Sequence, residues 1–402
     1  MKVMDFQQPL LRKEEDMRTF IRTYASVEAA VFAENTNDAV HILYPNRIQD
    51  AAKSFLTGFR GTNLYAVKAN PSPVVLKTLW EAGIRDFDVA SLREIELVHS
   101  LLPQARMHFM HPVKSRESIR YAYRVGIRAF SFDHIDELRK IQEETGDARD
   151  LNLFLRLKVD GGQALYDLGG KFGVDTTTAP LLLKRARQIS KKLGVCFHVG
   201  SQCMDPNSFG RAIASVAELI ADTGVKLDAI DIGGGFPSSY PGMEPPKRTL
   251  YFDAIHEAID THGLSGLELI SEPGRAMIAE AGAVAVRVEL RKGTDLYLND
   301  GTYGALFDAG TPDWPFPVRW ISASDEEATP ETINFRCFGP TCDSCDKMNG
   351  PFPLPVNIAE GDWIIFENLG AYGFAMQSRF NGFYSETLVA VSDEAPAVLY
   401  GA

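Results

Sequence analysis

From residue 63 onward, short apolar runs alternate with longer amphipathic stretches. The runs are 63–69 (NLYAVKA), 87–91 (FDVAS), 107–112 (MHFMHP), 129–133 (AFSFD), 152–159 (NLFLRLKV), 196–201 (CFHVGS), 229–235 (AIDIGGG) and 268–274 (ELISEPG). Their lengths suit buried strands, and intervening stretches such as 91–102 and 208–222 carry helical spacing. Eight such units predict an α/β fold, a (β/α)8 TIM-like barrel. A doubly wound parallel sheet is the other arrangement the pattern allows. Residues 11–35 read as helical.

After about residue 280 the texture changes. Val284-Ala285-Val286-Arg287-Val288-Glu289-Leu290 alternates, later segments do the same, and Pro- and Gly-rich turns separate them. This predicts a mostly β domain. The expected division is a barrel over 41–280 and a β domain made of 1–40 and 281–402, with His41-Ile42-Leu43-Tyr44-Pro45 as the crossing point.

Composition narrows the partners. The 402 residues are 45% hydrophobic and 23% charged, which is ordinary for a globular chain. Lys and Arg number 41 against 53 Asp and Glu, a net charge of −12, so no nucleic-acid or anionic-membrane partner is expected. No stretch reaches the roughly 20 apolar residues of a membrane span. The start Met1-Lys2-Val3-Met4-Asp5-Phe6 has no signal-peptide core. Five cysteines, odd and sparse, suit a reducing cytoplasm better than a disulfide framework.

Polar residues collect at the C-terminal ends of the eight runs, where parallel α/β folds carry their active sites. Lys68 ends the first run, Asp88 lies in the second and Arg156 in the fifth. His198 and Ser201 lie in the sixth, Gly233-Gly234-Gly235 in the seventh and Glu272-Pro273-Gly274-Arg275 at the eighth. A lysine there can lose its proton and form a Schiff base with a carbonyl cofactor. The Gly triplet lets backbone N–H groups approach a phosphate, and Arg275 can add charge to it. Glu272 can face a cofactor ring and keep a pyridine nitrogen protonated, which makes the ring an electron sink. Taken singly, these residues also read as a capped strand, a turn, a surface ion pair and a buried structural histidine. Their common rim is what favours a site.

Farther on, Gly339-Pro340-Thr341-Cys342-Asp343-Ser344-Cys345-Asp346 is dense in reactive types. Only one CxxC occurs and no histidine lies beyond residue 262, so no metal is expected. A thiol proton donor beside a carboxylate that reads an ammonium fits this loop better. Gly370-Ala371-Tyr372 and Phe380-Asn381-Gly382-Phe383 add a phenol and aromatic surface.

Together these motifs resemble the fold-type III, alanine-racemase-like pyridoxal phosphate (PLP) decarboxylases, most nearly the ornithine/lysine decarboxylase branch. The markers are Tyr65-Ala66-Val67-Lys68, Phe197-His198-Val199-Gly200-Ser201, Asp231-Ile232-Gly233-Gly234-Gly235-Phe236-Pro237, Glu272-Pro273-Gly274-Arg275, Gly339-Pro340-Thr341-Cys342-Asp343 and Phe380-Asn381-Gly382-Phe383, in that order over nearly the whole chain. The resemblance implies decarboxylation of a basic L-amino acid, L-ornithine to putrescine first and L-lysine as the alternative. Diaminopimelate or carboxynorspermidine decarboxylation, an amino-acid racemase and a non-catalytic PLP-binding regulator rank lower. It implies that Lys68 is the Schiff-base lysine, Glu272 the pyridinium partner and His198 the residue on the ring face. Ser201, Gly234, Gly235, Gly274, Arg275 and Tyr372 would surround the phosphate, with Asp88, Arg156 and Glu94 in support. Cys342 would return the proton to Cα. Asp343, Tyr303, Phe380 and Asp313 would contact substrate. The family further implies a cytoplasmic homodimer with shared sites, the β domain carrying the Cys–Asp loop, and Lys171 paired with Asp346 across the interface.

Some segments depart from that branch. Ala69-Asn70 after Lys68, and Gln202 after Ser201, resemble diaminopimelate decarboxylases, whereas Asp343 favours a simple diamine product. The stretch Ala305-Leu306-Phe307-Asp308-Ala309-Gly310-Thr311-Pro312-Asp313-Trp314 diverges where pocket length is set, so the second amine-binding aspartate is Asp313 or Asp308.

Overall fold

The computed structural model describes residues 21–159, 164–166, 170–312, 314–324 and 329–392. Eight parallel strands close into a barrel: Thr62–Ala66, Asp86–Val89, Arg106–Phe109, Ala129–Phe132, Asn152–Arg156, Lys192–Cys196, Ala229–Asp231 and Glu268–Ser271. Most strand residues are apolar, because both faces of the sheet are covered, and the polar ones gather mainly at the strand ends. Leu64, Met110, Ala129, Phe154, Cys196, Ala229 and Ile270 pack together as one cluster. A much larger cluster joins the strands to the surrounding helices. Ser91 and Ser115 each cap the helix that follows, accepting from the N–H of Glu94 and Ser118.

A second, mixed sheet is built around the long strand Gly282–Lys292. Val40–Leu43 pairs with its start, Trp363–Phe366 with its middle and Asp295–Leu298 with its end. This is the β domain anticipated from the alternation after residue 280. The barrel and this sheet touch at the site. Asn70 Nδ2 donates to Gly370 O at 2.9 Å, and Tyr372 N donates to Ala69 O at 2.9 Å.

Three expectations are corrected. Residues 11–35 are not one helix: Arg22–Tyr24 is a strand paired with Val389–Val391, and the helix spans only Val27–Glu34, capped by Ser26. Residues 11–20 lie outside the described residues. The sixth strand is Lys192–Cys196 rather than 196–201; residues 197–200 leave the ladder, Gly200 takes a φ of +95°, and the short strand Ser201–Cys203 follows. Strand Val40–Leu43 is part of the β sheet, so the chain crosses to the barrel after Leu43. Among the described residues, no helix is long and apolar enough to cross a membrane.

Candidate active site

The first strand stops at Ala66, and one 3-10 turn, Val67–Ala69, carries Lys68 over the barrel mouth. Val67 and Ala69 are fully buried, whereas the lysine side chain is 47% exposed and opens into a cavity. Its amine lies 3.8 Å from Asp88 Oδ2. Burial pulls the amine's pKa down, but Asp88, Tyr372 and Glu272 outweigh it, and the net shift is upward. Nearby, Glu94 accepts from Ala90 N at 2.6 Å. Burial pushes its carboxyl up to about 7.

Glu272 follows the eighth strand and is fixed by its own N–H, which donates to Gly233 O at 2.8 Å. Its carboxyl is buried and Oε1 has no hydrogen-bond partner. Burial, Asp231 and Asp88 push it well above the usual carboxylate range, against Lys68 and Arg156. Asp231 ends the seventh strand, accepts from Gly233 N at 2.8 Å and is itself pushed up to about 6 by burial. A buried acceptor with no donor is costly unless a ligand supplies one.

His198 lies past the sixth strand. Its Nδ1 accepts from Gly200 N at 2.9 Å, so in the neutral ring Nε2 carries the hydrogen. Burial, with Arg156 and Lys68, holds its pKa well below the usual histidine value. The glycine turn packs close by. Gly235 has φ +104°, and a Cβ there would stand 2.5 Å from Gly200 O. A Cβ on Gly234 would stand 2.7 Å from Glu272 O. A side chain at Gly234 would press on Glu272 and His198, and one at Gly235 on Gly200 and Val199. Gln202, fully buried, braces this turn by accepting from Ser238 N at 3.0 Å.

These side chains share one cavity of about 480 Å³. Lys68, Asp88, Arg156, His198, Ser201, Glu272, Arg275 and Tyr372 all line it. Gly274 packs against Ala69, beside Lys68, its would-be Cβ 3.1 Å from that methyl. Phe307 and Thr311, from the stretch expected to set pocket length, also line it; sequence reading missed Ala90, Met110, His111, Pro112, Phe172 and Met376, which add to the lining. Nothing in their local sequence distinguishes them from ordinary loop residues. Arg275 is buried and paired to Asp308 through NH1 at 2.5 Å and NH2 at 3.2 Å. Of the two aspartates considered for the amine contact, Asp308 is thus engaged by an arginine, and Asp313 lies outside the described residues.

The second set of predicted residues gathers elsewhere. The Tyr303 hydroxyl donates to Asp343 Oδ2 at 2.5 Å, and its ring lies 4.9 Å from that of Phe380. Cys342 is exposed, and its N–H donates to Asn381 Oδ1 at 3.3 Å. Hydrogen bonds from Cys345 N and the Tyr303 hydroxyl hold Asp343 below the usual carboxylate range. None of these four residues lines the Lys68 cavity. Lys171 does line it, but Asp346 presents no free carboxylate. It is buried and accepts from Thr302 N and Oγ1 and from Thr341 N and Oγ1 at 2.7–3.1 Å. Within its own chain, Asp346 ties the Cys–Asp loop to the segment after Asp300. Gly301 and Gly339 admit that carboxylate, since a Cβ on either would collide with it.

A family model for the pyridoxal binding domain of pyridoxal-dependent decarboxylases matches residues 45–279. Ornithine decarboxylase of Mus musculus is 35% identical over 357 residues, aligning 81% of this chain with 74% of that one. The solved structure of a lysine/ornithine decarboxylase from Vibrio vulnificus, complexed with cadaverine, superposes with a TM-score of 0.78 at 29% identity, covering 91% of this chain and 95% of that one. The arginine decarboxylase of Paramecium bursaria Chlorella virus, bound to agmatine, gives a TM-score of 0.78 at 28% identity, over 91% and 98%.

Proposed function

This chain belongs to the pyridoxal-dependent decarboxylase family, and we propose that its reaction is the decarboxylation of L-ornithine to putrescine. It is an enzyme whose cofactor is pyridoxal 5′-phosphate. The residues present fit that group. The buried, partnerless Glu272 Oε1 suits a ring N–H, and the buried, partnerless Nε of Arg275 suits a phosphate. The observation that carries the reading is Lys68 opening beside Asp88 into the same cavity as that orphaned glutamate.

Bound there, the cofactor supplies an electron sink for the pair left when CO2 departs. The chain does the rest. Lys68 would be the amine that holds the cofactor. Glu272 would keep a ring nitrogen protonated, and His198 would face the ring. Ser201, Gly234, Gly235, Gly274, Arg275 and Tyr372 would hold the phosphate. Asp88 and Arg156 balance charge around Lys68 and Glu272, with Glu94 behind them. Orienting the scissile Cα–carboxylate bond for cleavage would be a positioning task for the side chains at this mouth.

The substrate side falls to the other cluster. Asp343, kept ionised, binds the distal ammonium. Cys342 returns a proton to Cα, while Tyr303 and Phe380 bound the chain, with Asp313 as a further contact. Because this cluster is off the Lys68 cavity of its own chain, the reading includes a homodimer whose sites are shared. It also includes the division into a cofactor barrel from residue 44 to about 280 and a β domain formed, among the described residues, by 21–43 and 281–392. The described cysteines are unpaired, in keeping with a cytoplasmic setting. A specific observation keeps L-lysine as the second reading: a similar structure of a lysine/ornithine decarboxylase holds cadaverine.

The test offers purified protein and PLP with L-ornithine, L-lysine, L-arginine, meso-diaminopimelate and carboxynorspermidine in turn, with amines read by mass spectrometry. Putrescine as the dominant product is expected. Cadaverine would transfer the assignment to L-lysine and the question to residues 305–314. No amine from any substrate would overturn the reading.

A further inference from the structure

The guanidinium of Arg275 is held on one edge only. Asp308 takes NH1 at 2.5 Å and NH2 at 3.2 Å, an end-on, two-point ion pair. Tyr240 OH stands 2.8 Å from NH1. Nε is buried and has no partner at all. The free edge, Nε with the second hydrogen of NH2, is the edge with which an arginine forks a second anion. Arg275, Asp308 and Tyr372 all line the cavity, and the guanidinium carbon lies 4.9 Å from the centre of the Tyr372 ring.

Asp308 belongs to the stretch 305–314, where the chain departs from its family, and it comes from the β domain, whereas Arg275 and Tyr240 come from the barrel side. We propose that Asp308 is a positioning residue for the cofactor phosphate: with Tyr240 it clamps the far edge of Arg275 and turns the Nε edge toward the phosphate. This rests on the reading of Arg275 as a phosphate ligand. Three features argue for the clamp over simple charge cancellation. The ion pair is end-on, which leaves the other edge whole. Both partners are buried, so the arginine has no freedom to swing to a second anion. The third donor contact, Tyr240, is set by rings of its own, 4.8 Å from Phe316 and 5.5 Å from Trp314. A carboxylate beside a phosphate repels it, but a guanidinium between the two screens that repulsion and is worth most when its orientation is fixed in advance.

The clamp predicts selective loss of phosphate recognition. Full-length protein freed of cofactor is titrated with PLP and, separately, with pyridoxal, which lacks the phosphate, following absorbance. Asp308→Asn should weaken PLP by about tenfold or more while leaving pyridoxal nearly unchanged. A variant that binds PLP as well as or better than the parent overturns the proposal. So does equal weakening of both ligands, which is the signature of a merely structural residue. Arg275→Gln separates the underlying reading. If it leaves the preference for PLP over pyridoxal intact, Arg275 is not a phosphate ligand and both statements fall. If it removes the preference and Asp308→Asn does not, only the clamp falls. Tyr240→Phe covers the case in which Asp308→Asn fails to fold: a smaller, PLP-selective loss is expected, and no selective loss overturns the clamp.

Discussion

Asp88 stands 3.8 Å from the amine of Lys68 and is the strongest of the groups that raise that amine's pKa. Burial alone would lower it. The two residues sit at the ends of adjacent strands, Leu64 to Ala66 pairing with Asp86 to Asp88, so the barrel register itself sets their spacing. Asp88→Asn should therefore drop the Lys68 pKa, since burial persists and its main opponent is gone. The rate at which cofactor-free protein captures PLP, measured against pH, should reach its plateau at lower pH in the variant. An unmoved profile would remove Asp88 from this role. Lys68→Ala should show no absorbance band that bleaches with borohydride.

Asp346 should behave as a staple of its own domain. Removing its carboxylate strands two backbone N–H groups and two hydroxyls, at Thr302 and Thr341. Asp346→Ala should cost about 2 kcal/mol in urea unfolding, from unmet, partly buried donors. The same loosening should speed the reaction of Cys342 with a thiol reagent. Lys171→Ala should do neither. If both variants instead weaken subunit association equally and neither changes stability, the carboxylate reaches a partner's lysine after all.

The barrel was legible because each strand announces itself as an apolar run, and the site because a parallel barrel sends every strand end to one rim. Lys68, Asp88, Arg156, His198, Ser201, Glu272 and Arg275 could be collected before any coordinates existed. Strand ends were less legible. Phe197 and Val199 continue the apolar pattern past Cys196, but pairing with both neighbouring strands stops there, and periodicity does not report where a ladder ends. Arg22-Thr23-Tyr24 was missed because its partner, Val389–Val391, lies at the other end of the chain. The bond from Asn70 to Gly370 spans 300 residues, so no local window contains it. Asp308 and Asp313 were left as alternatives for the amine contact because sequence shows a charge without its counter-ion, which for Asp308 is Arg275.

Glu94 gives the chain a pH dependence with a definite sign. Burial raises its carboxyl from 4.5 to about 7, against the bond from Ala90 N–H. A carboxyl raised on folding is held more tightly as the acid in the native state. Its stabilising contribution is complete below about pH 4.5 and is lost as pH climbs through about 7, because the unfolded chain ionises first. Glu94→Gln keeps an acceptor for Ala90 and cannot ionise. Relative to the parent it should gain roughly 2–3 kcal/mol in going from pH 5 to pH 8, read from urea midpoints of the cofactor-free protein. A difference between the two proteins that does not change with pH would mean that Glu94 is charged throughout.

The separation of Lys68 from Cys342 makes the sharing of sites testable without a structure of the assembly. Lys68 lines a barrel cavity that Cys342, Asp343, Tyr303 and Phe380 of the same chain do not reach. Cys342→Ala should keep bound PLP and slow turnover, or send the proton to an atom other than Cα. Lys68→Ala should be inactive. When the two inactive or crippled proteins are unfolded together and refolded, hybrid dimers form, each with one site doubly damaged and one intact. Random pairing makes half of the dimers hybrid and half of their sites whole, so activity should return to about a quarter of the parent's. Tagged subunits establish that hybrids exist. Hybrids without recovered activity would mean that Lys68 and Cys342 serve the same chain's site, and the Cys–Asp loop would then have to fold back over its own barrel to act.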